Sequence, residues 1–159
     1  MKRWGYCISL AVLGFEILQL SGMNGTRKKL EDQKKMTEKN REQYLLLNQW
    51  LKLRQSGKSI CNYLSEKGYK TVAIYGMGMN GKRVVQELKD SGIEALYGID
   101  KKADSIVSEI NVLAADADLP ETDAIVVSEP VYIEEITKLL KTKVHCPIVS
   151  LEEAIYESF

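Results

Sequence analysis

The stretch TVAIYGMGMNGKRVVQEL, residues 71–88, decides how the chain is read. A run of β-branched and aromatic residues, Thr71 to Tyr75, leads into glycines and then into a helical pattern. Two spacings overlap there. Gly76-x-Gly78-x-x-Gly81 matches a dinucleotide-binding turn, whereas Gly76-x-x-x-x-Gly81-Lys82 matches most of an ATPase-type phosphate loop. The phosphate loop needs Ser or Thr after its lysine, because that hydroxyl ligates the magnesium ion bridging the phosphates. Arg83 stands there, and a guanidinium cannot ligate a cation. The dinucleotide spacing keeps its context: strand before, helix after, and Asp100 closing the next apolar run, ALYGI at 95–99. In that reading Gly76 makes the turn and Gly78 lets backbone approach a pyrophosphate. Gly81 brings the helix close to the sheet, and Asp100 accepts hydrogen bonds from a ribose diol. Asn80 and Lys82, in the first helical turn, complete the expected cofactor contacts around the loop.

Working outward, the runs ALYGI, NVL (111–113), DAIVV (123–127) and PIVS (147–150) read as further strands. Helical patterns lie between them at Gly81 to Ser91, Ala103 to Glu109 and Pro130 to Lys141, with another at Leu151 to Glu157. Ser91-Gly92 is expected to close the first, and Ser150 with Glu153 to form a capping box for the last. Alternating strands and helices predict an α/β fold with a doubly wound, parallel five-stranded sheet, Rossmann-like, in the order 3-2-1-4-5. In that order Ser128 and Glu129, at the end of the fourth strand, face the crevice where open α/β sheets bind ligands. Helix capping before Pro130 is the plainer role for the same pair. The ligand expected at Gly76, Gly78, Asn80, Gly81, Lys82, Asp100 and Ser128 is NAD or a nucleotide-sugar. Asp100 would repel a 2′-phosphate, although Lys101 and Lys102 would attract one.

Upstream the chain changes character twice. Residues 1–25 hold a basic start, Lys2-Arg3, and an apolar run from Trp4 to Leu20 interrupted by Glu16 and Gln19. This run fits a membrane anchor, an interfacial helix or a helix buried against protein. As an anchor, with Arg27, Lys28 and Lys29 beyond it, it would leave the rest of the chain at the cytoplasmic face. Residues 26–67 read as a helical neck, solvated over 26–43 and apolar on one face from Tyr44 onward. Leu47, Trp50, Leu51, Ile60, Cys61 and Leu64 are expected to pack on the domain at 68–159, with a homodimer seam as the alternative. Gly68 is placed to end the last helix of the neck.

Composition narrows the function classes. Lys plus Arg and Asp plus Glu are 22 each, so the broad basic footprint of a nucleic-acid binder is lacking and no nucleic-acid partner is expected. Cys7, Cys61 and Cys146 are widely spaced and form no C-x-x-C pair, which points to a reducing compartment rather than a disulfide frame or zinc site. His145 is the only histidine, and no Ser–His–Asp set exists. Tyr63-x-x-x-Lys67 matches the tyrosine–lysine pair of short-chain dehydrogenases but precedes the first strand, so the topology is wrong. No catalytic residue is therefore named.

IYGMGMNGKRVVQELKDSGIEALYGIDKKAD, LPETDAIVVSEP and CPIVSLEEAIYE together resemble the small Rossmann-like domains of bacterial surface-polysaccharide biosynthesis proteins. The resemblance covers about residues 69–157. Domains of that kind occur alone or joined to sugar-modifying enzymes and glycosyltransferases. It implies a nucleotide ligand contacted by Gly76, Gly78, Gly81 and Asp100, and an accessory binding role alongside a polysaccharide-biosynthesis enzyme. An NAD-dependent dehydrogenase or epimerase component completed by a partner is the alternative, as is a remnant of a larger enzyme.

Overall fold

The computed structural model describes residues 25–159 in full and residues 3–24 as helical backbone. Two compact units divide at Tyr44 and Leu45. The long helix α1 (Arg3–Gln55) runs through that boundary. In the first unit, side chains from Gly25 to Tyr44 are exposed, apart from half-buried Lys39 and Gln43. The expectation that residues 4–20 form a membrane anchor concerns side chains outside the described residues. Among the described residues no helix is long and apolar enough to cross a membrane.

The second unit carries the sheet. After α2 (Ile60–Glu66) come β1 (Thr71–Tyr75), α3 (Met79–Leu88), β2 (Glu94–Ile99), β3 (Val112–Leu113) and β4 (Ala124–Val127). Then follow α4 (Ile133–Leu140), β5 (Ile148–Ser150) and α5 (Leu151–Tyr156). The five strands lie in the order β3-β2-β1-β4-β5, all parallel, as the alternation of patterns predicts. β1 is central and alternates its side chains between two cores. Val72 and Ile74 join α2, α3, α5 and the end of α1 on one face. Ala73 and Tyr75 join Tyr97, Ile99, Ile125 and Val127 beneath Ile136 and Leu140 of α4 on the other. An all-parallel sheet needs cover on both faces, which explains why β1 and β4 are almost wholly buried.

The end of α1 packs into the first of these cores through a stripe of its own. Leu46, Trp50 and Leu53 are buried, while Leu51 is 56% exposed. These three fall at i, i+4 and i+7, and Leu51 lies next to that stripe rather than on it. Glu87 of α3 fastens the contact. Its carboxylate accepts from the Trp50 indole N–H at 2.7 Å and from the Ile60 amide at 3.0 Å. Ser59 and Asn62 form a reciprocal capping box at the start of α2. Gly68 follows the end of α2 at φ +79°, a left-handed value that glycine adopts without steric cost.

Other elements are shorter than the sequence patterns predict. The helix expected at Ala103 to Glu109 is one 3-10 turn, Ala103–Ser105. There Ser105 Oγ donates to the Lys102 carbonyl, and the chain extends at Ile106, where φ is −95° and ψ 122°. A serine bonded to local backbone and a β-branched residue both favour leaving the helix. The expected helix at 130–141 opens as a 3-10 turn, Pro130–Tyr132, before α4. α3 ends at Leu88, before Ser91-Gly92, and Ser91 instead caps the Leu88 carbonyl with its hydroxyl. The capping box at α5 is half formed. Ser150 Oγ accepts from the Glu153 amide, but the Glu153 side chain accepts from the Tyr63 hydroxyl at 2.8 Å.

At the far end of the sheet, Asp123 accepts the amides of Lys70 and Thr71, each at 2.8 Å. Those two bonds, with one from the Thr71 hydroxyl, hold its carboxyl below the usual carboxylate range. This clamp joins the entry of β1 to β4 and leaves the opposite, C-terminal edge of the strands for the glycine loop.

Candidate functional site

The loop after β1 is built from three glycines that differ in what they meet. Gly76 has φ +89°, and a Cβ there would come within 2.8 Å of Ser128 Oγ. Gly81 sits against the loop itself: a Cβ would lie 2.1 Å from the Gly76 carbonyl oxygen and 3.4 Å from Ile74 Cγ2. Both are therefore required by the protein's own packing. Gly78 differs. It is the N-cap residue of α3, its φ of −69° is open to any residue, and a Cβ would meet nothing within 4 Å.

Around the loop the side chains expected to touch a ligand hold one another. Ser128, fully buried, donates from Oγ to the Gly76 carbonyl at 2.6 Å, and its amide donates to the Tyr75 carbonyl. The Ser128 carbonyl accepts from Asn80 Nδ2 at 3.2 Å. The end of β4 is thereby latched to the loop after β1. Asp100 extends the same fastening to β2: Oδ2 accepts from the Met77 amide and Oδ1 from the Lys102 amide, each at 2.9 Å. Each carboxylate oxygen has a second lone pair beyond these bonds. Met77 itself is buried and lies over Gly98, where a Cβ would fall 2.5 Å from Met77 Cγ. Gly98 is a determinant of the loop that sequence reasoning missed, since an isolated strand glycine signals close approach without naming the partner.

The structure thus brings Gly76, Gly78, Asn80, Gly81, Asp100 and Ser128 together at the C-terminal edge of β1, β2 and β4. Lys82 is exposed on the first turn of α3. Its amide makes the first helical bond, to the Gly78 carbonyl. Arg83 lines a groove with Leu47, Trp50 and Arg54. The amides of the first turn of α3 precede any intrahelical carbonyl, and no side chain caps the turn from Gly78. With the helix dipole behind them they give this end of α3 a positive potential.

Beside the loop opens a cleft of about 440 Å³. Gly76 and Asp100 form its rim on the loop side, with Lys101 and Lys102 next to them; Tyr132, Glu135 and Ile136 line it from the α4 side. The volume lies within the usual range for small-molecule sites, roughly 300–1,000 Å³. Tyr75 lines it too, and its buried hydroxyl has no hydrogen-bond partner among the described residues. Burial, then the Asp100 and Glu135 carboxylates, push that phenol above its ordinary pKa, so it stays protonated.

The remaining candidates fall away from this edge. Tyr63 is buried and bonded to Glu153, and its pKa is raised mainly by burial, the opposite of an activated phenol. Lys67 lies over its ring at 5.3 Å as a cation–π contact. His145 is exposed. Cys61 and Cys146 are free thiols, and burial raises Cys146. Among the described residues no group of His, Cys, Asp or Glu could hold a metal ion.

Comparison with protein-family models, with curated proteins and with solved structures finds no match to this chain.

Proposed function

We propose that residues 45–159 bind a nucleotide, NAD or a nucleotide-sugar, across the glycine loop. We propose further that the chain acts as an accessory binding module in cell-surface polysaccharide biosynthesis, without a reaction of its own. The observation that carries the binding is Gly78. Packing accounts for Gly76 and Gly81, but among the described residues no packing contact uses the missing side chain at Gly78, the N-cap of α3. A ligand phosphate approaching the backbone is what would use it.

In this reading the diphosphate sits at the first turn of α3, where the dipole supplies roughly half a positive charge. The second lone pairs of Asp100 accept from the ribose diol, and the nucleoside enters the cleft beside Lys101 and Lys102. Asn80 and Ser128 serve by holding the loop in shape, since their side chains bond backbone groups of the loop and of β4. The polysaccharide context rests on the resemblance of residues 69–157, and a place at the cytoplasmic face of a membrane rests on the apolar run at 4–20.

Native mass spectrometry of the full chain, purified without added ligand, tests the proposal. Retained nucleotide is the expected result, and the same spectrum reports whether the chain is a dimer. A ligand-free spectrum, together with a melting temperature unmoved by saturating NAD and UDP-glucose, would overturn it.

A further inference from the structure

The cleft beside the glycine loop has an apolar wall on its α4 side. Tyr132, Ile136 and Leu139 line it, four and then three residues apart, so they share one side of α4 and of the turn that opens it. Ile136 is buried in the core of that sheet face, but Tyr132 and Leu139 are 42% and 43% exposed. Large apolar side chains left open inside a cavity are what a flat ring covers on binding. Glu135 lines the same wall and is exposed. Its carboxylate lies close enough to the phenol of Tyr75, another lining residue, to help raise that phenol's pKa. Glu134, in the same first turn, supplies the helix dipole with a negative charge of its own. A carboxylate can only accept hydrogen bonds, so Glu135 selects for donors.

We propose that the α4 side of the cleft is the base subsite of the bound nucleotide, and that it takes a base carrying an exocyclic amino group, as adenine does. The ring lies along Tyr132 and Leu139, and its amine donates to the Glu135 carboxylate. This rests on the nucleotide reading of the glycine loop and adds the class of base to it. Asp100 and Glu135 line one cleft from its two sides, so a ribose held by Asp100 turns its base toward Glu135. Uracil in the same place presents carbonyl oxygens on either side of its one ring N–H. A carbonyl facing the carboxylate sets acceptor against acceptor, and selectivity comes from that repulsion as well as from the bond to the amine. Adenine nucleotides, NAD among them, are therefore favoured over uridine ones.

ADP and UDP differ only in the base, so the ratio of their Kd values isolates it. Full-length wild type, Glu135→Ala and Glu134→Ala are titrated calorimetrically with each, and each protein is melted without ligand. Wild type is expected to bind ADP roughly 10-fold more tightly than UDP, the difference that one hydrogen bond to a charged acceptor makes. Glu135→Ala is expected to bring the two within about 3-fold, chiefly by weakening ADP, while Glu134→Ala keeps the wild-type ratio. Both side chains are exposed, so the three proteins should melt within a few degrees of one another. If wild type binds neither nucleotide, the nucleotide reading fails and takes this inference with it. If wild type binds the two equally or favours UDP, the inference alone is overturned. A preference for ADP that survives in Glu135→Ala, or that is lost equally in Glu134→Ala, also overturns it.

Discussion

Replacing Gly81 by alanine adds one methyl group at the tightest point of the loop. Its carbon would stand 2.1 Å from the Gly76 carbonyl oxygen, more than an ångström short of ordinary contact. That oxygen is backbone, in a turn held by Ser128 Oγ and by the bond from the Gly76 amide to the Ile99 carbonyl, so it cannot rotate aside. Overpacking usually costs about 1–3 kcal/mol, and an immovable partner puts this case at the top of that range. Alanine returns about 1 kcal/mol through its higher helix propensity, since Gly81 lies within α3. The net loss is about 2 kcal/mol, or ~6 °C in melting temperature for a chain of this size. Urea unfolding followed by far-ultraviolet circular dichroism reads it directly, as a lower midpoint at unchanged slope. Gly78→Ala is the comparison: its added carbon meets nothing within 4 Å, so its loss is limited to that of a poorer N-cap, about 1 kcal/mol. A Gly81→Ala midpoint equal to or above wild type would refute the reasoning, because propensity alone would then govern the site.

Other consequences follow from single groups. Glu87→Ala removes the acceptor of the Trp50 indole and the Ile60 amide, and should cost about 2–4 kcal/mol in chemical denaturation, with Glu87→Gln recovering part of it. Asp100→Ala should lower stability by about 1–2 kcal/mol even without nucleotide, since the Met77 and Lys102 amides lose their partner; an unchanged urea midpoint would contradict the described loop. Tyr63 is held protonated in the fold by burial and by Glu153, so the unfolded chain loses that proton first as pH rises. Its stabilisation is complete below pH ~10 and declines above it, and Tyr63→Phe should melt lower than wild type at pH 7 yet show a shallower alkaline decline.

The sheet was legible because its strands are short, β-branched runs separated by turn residues, and a parallel order follows from intervening helices. Residues 100–123 were less legible. Their crossovers contain a single 3-10 turn and β3 is two residues long, so no period reaches far enough to be read. At the site, the chain positions of Gly76, Gly78, Gly81 and Asp100 were visible as a spacing, but what each does depends on partners far along the chain. Ser128 meets Gly76 and Asn80 meets Ser128 across about fifty residues, and a one-dimensional pattern cannot show such a latch. Tyr75 read simply as the last residue of a strand. That its hydroxyl is buried, with no partner among the described residues, depends on the folded elements around it and not on its place in the strand. Leu51 shows the reverse case: helical spacing assigns it to the packing face, yet it lies beside the stripe made by Leu46, Trp50 and Leu53.

A nucleotide phosphate is proposed to lie against the open side of Gly78. Thermal unfolding of wild type and Gly78→Val, each with and without NAD and UDP-glucose, tests it most directly. At a hundred times its Kd a ligand adds about 2.7 kcal/mol, or ~8 °C here. That shift is expected for wild type with at least one of the two nucleotides and not for Gly78→Val, whose ligand-free melting falls only a few degrees through its poorer N-cap. Equal shifts in both proteins, or no shift in wild type, would contradict it.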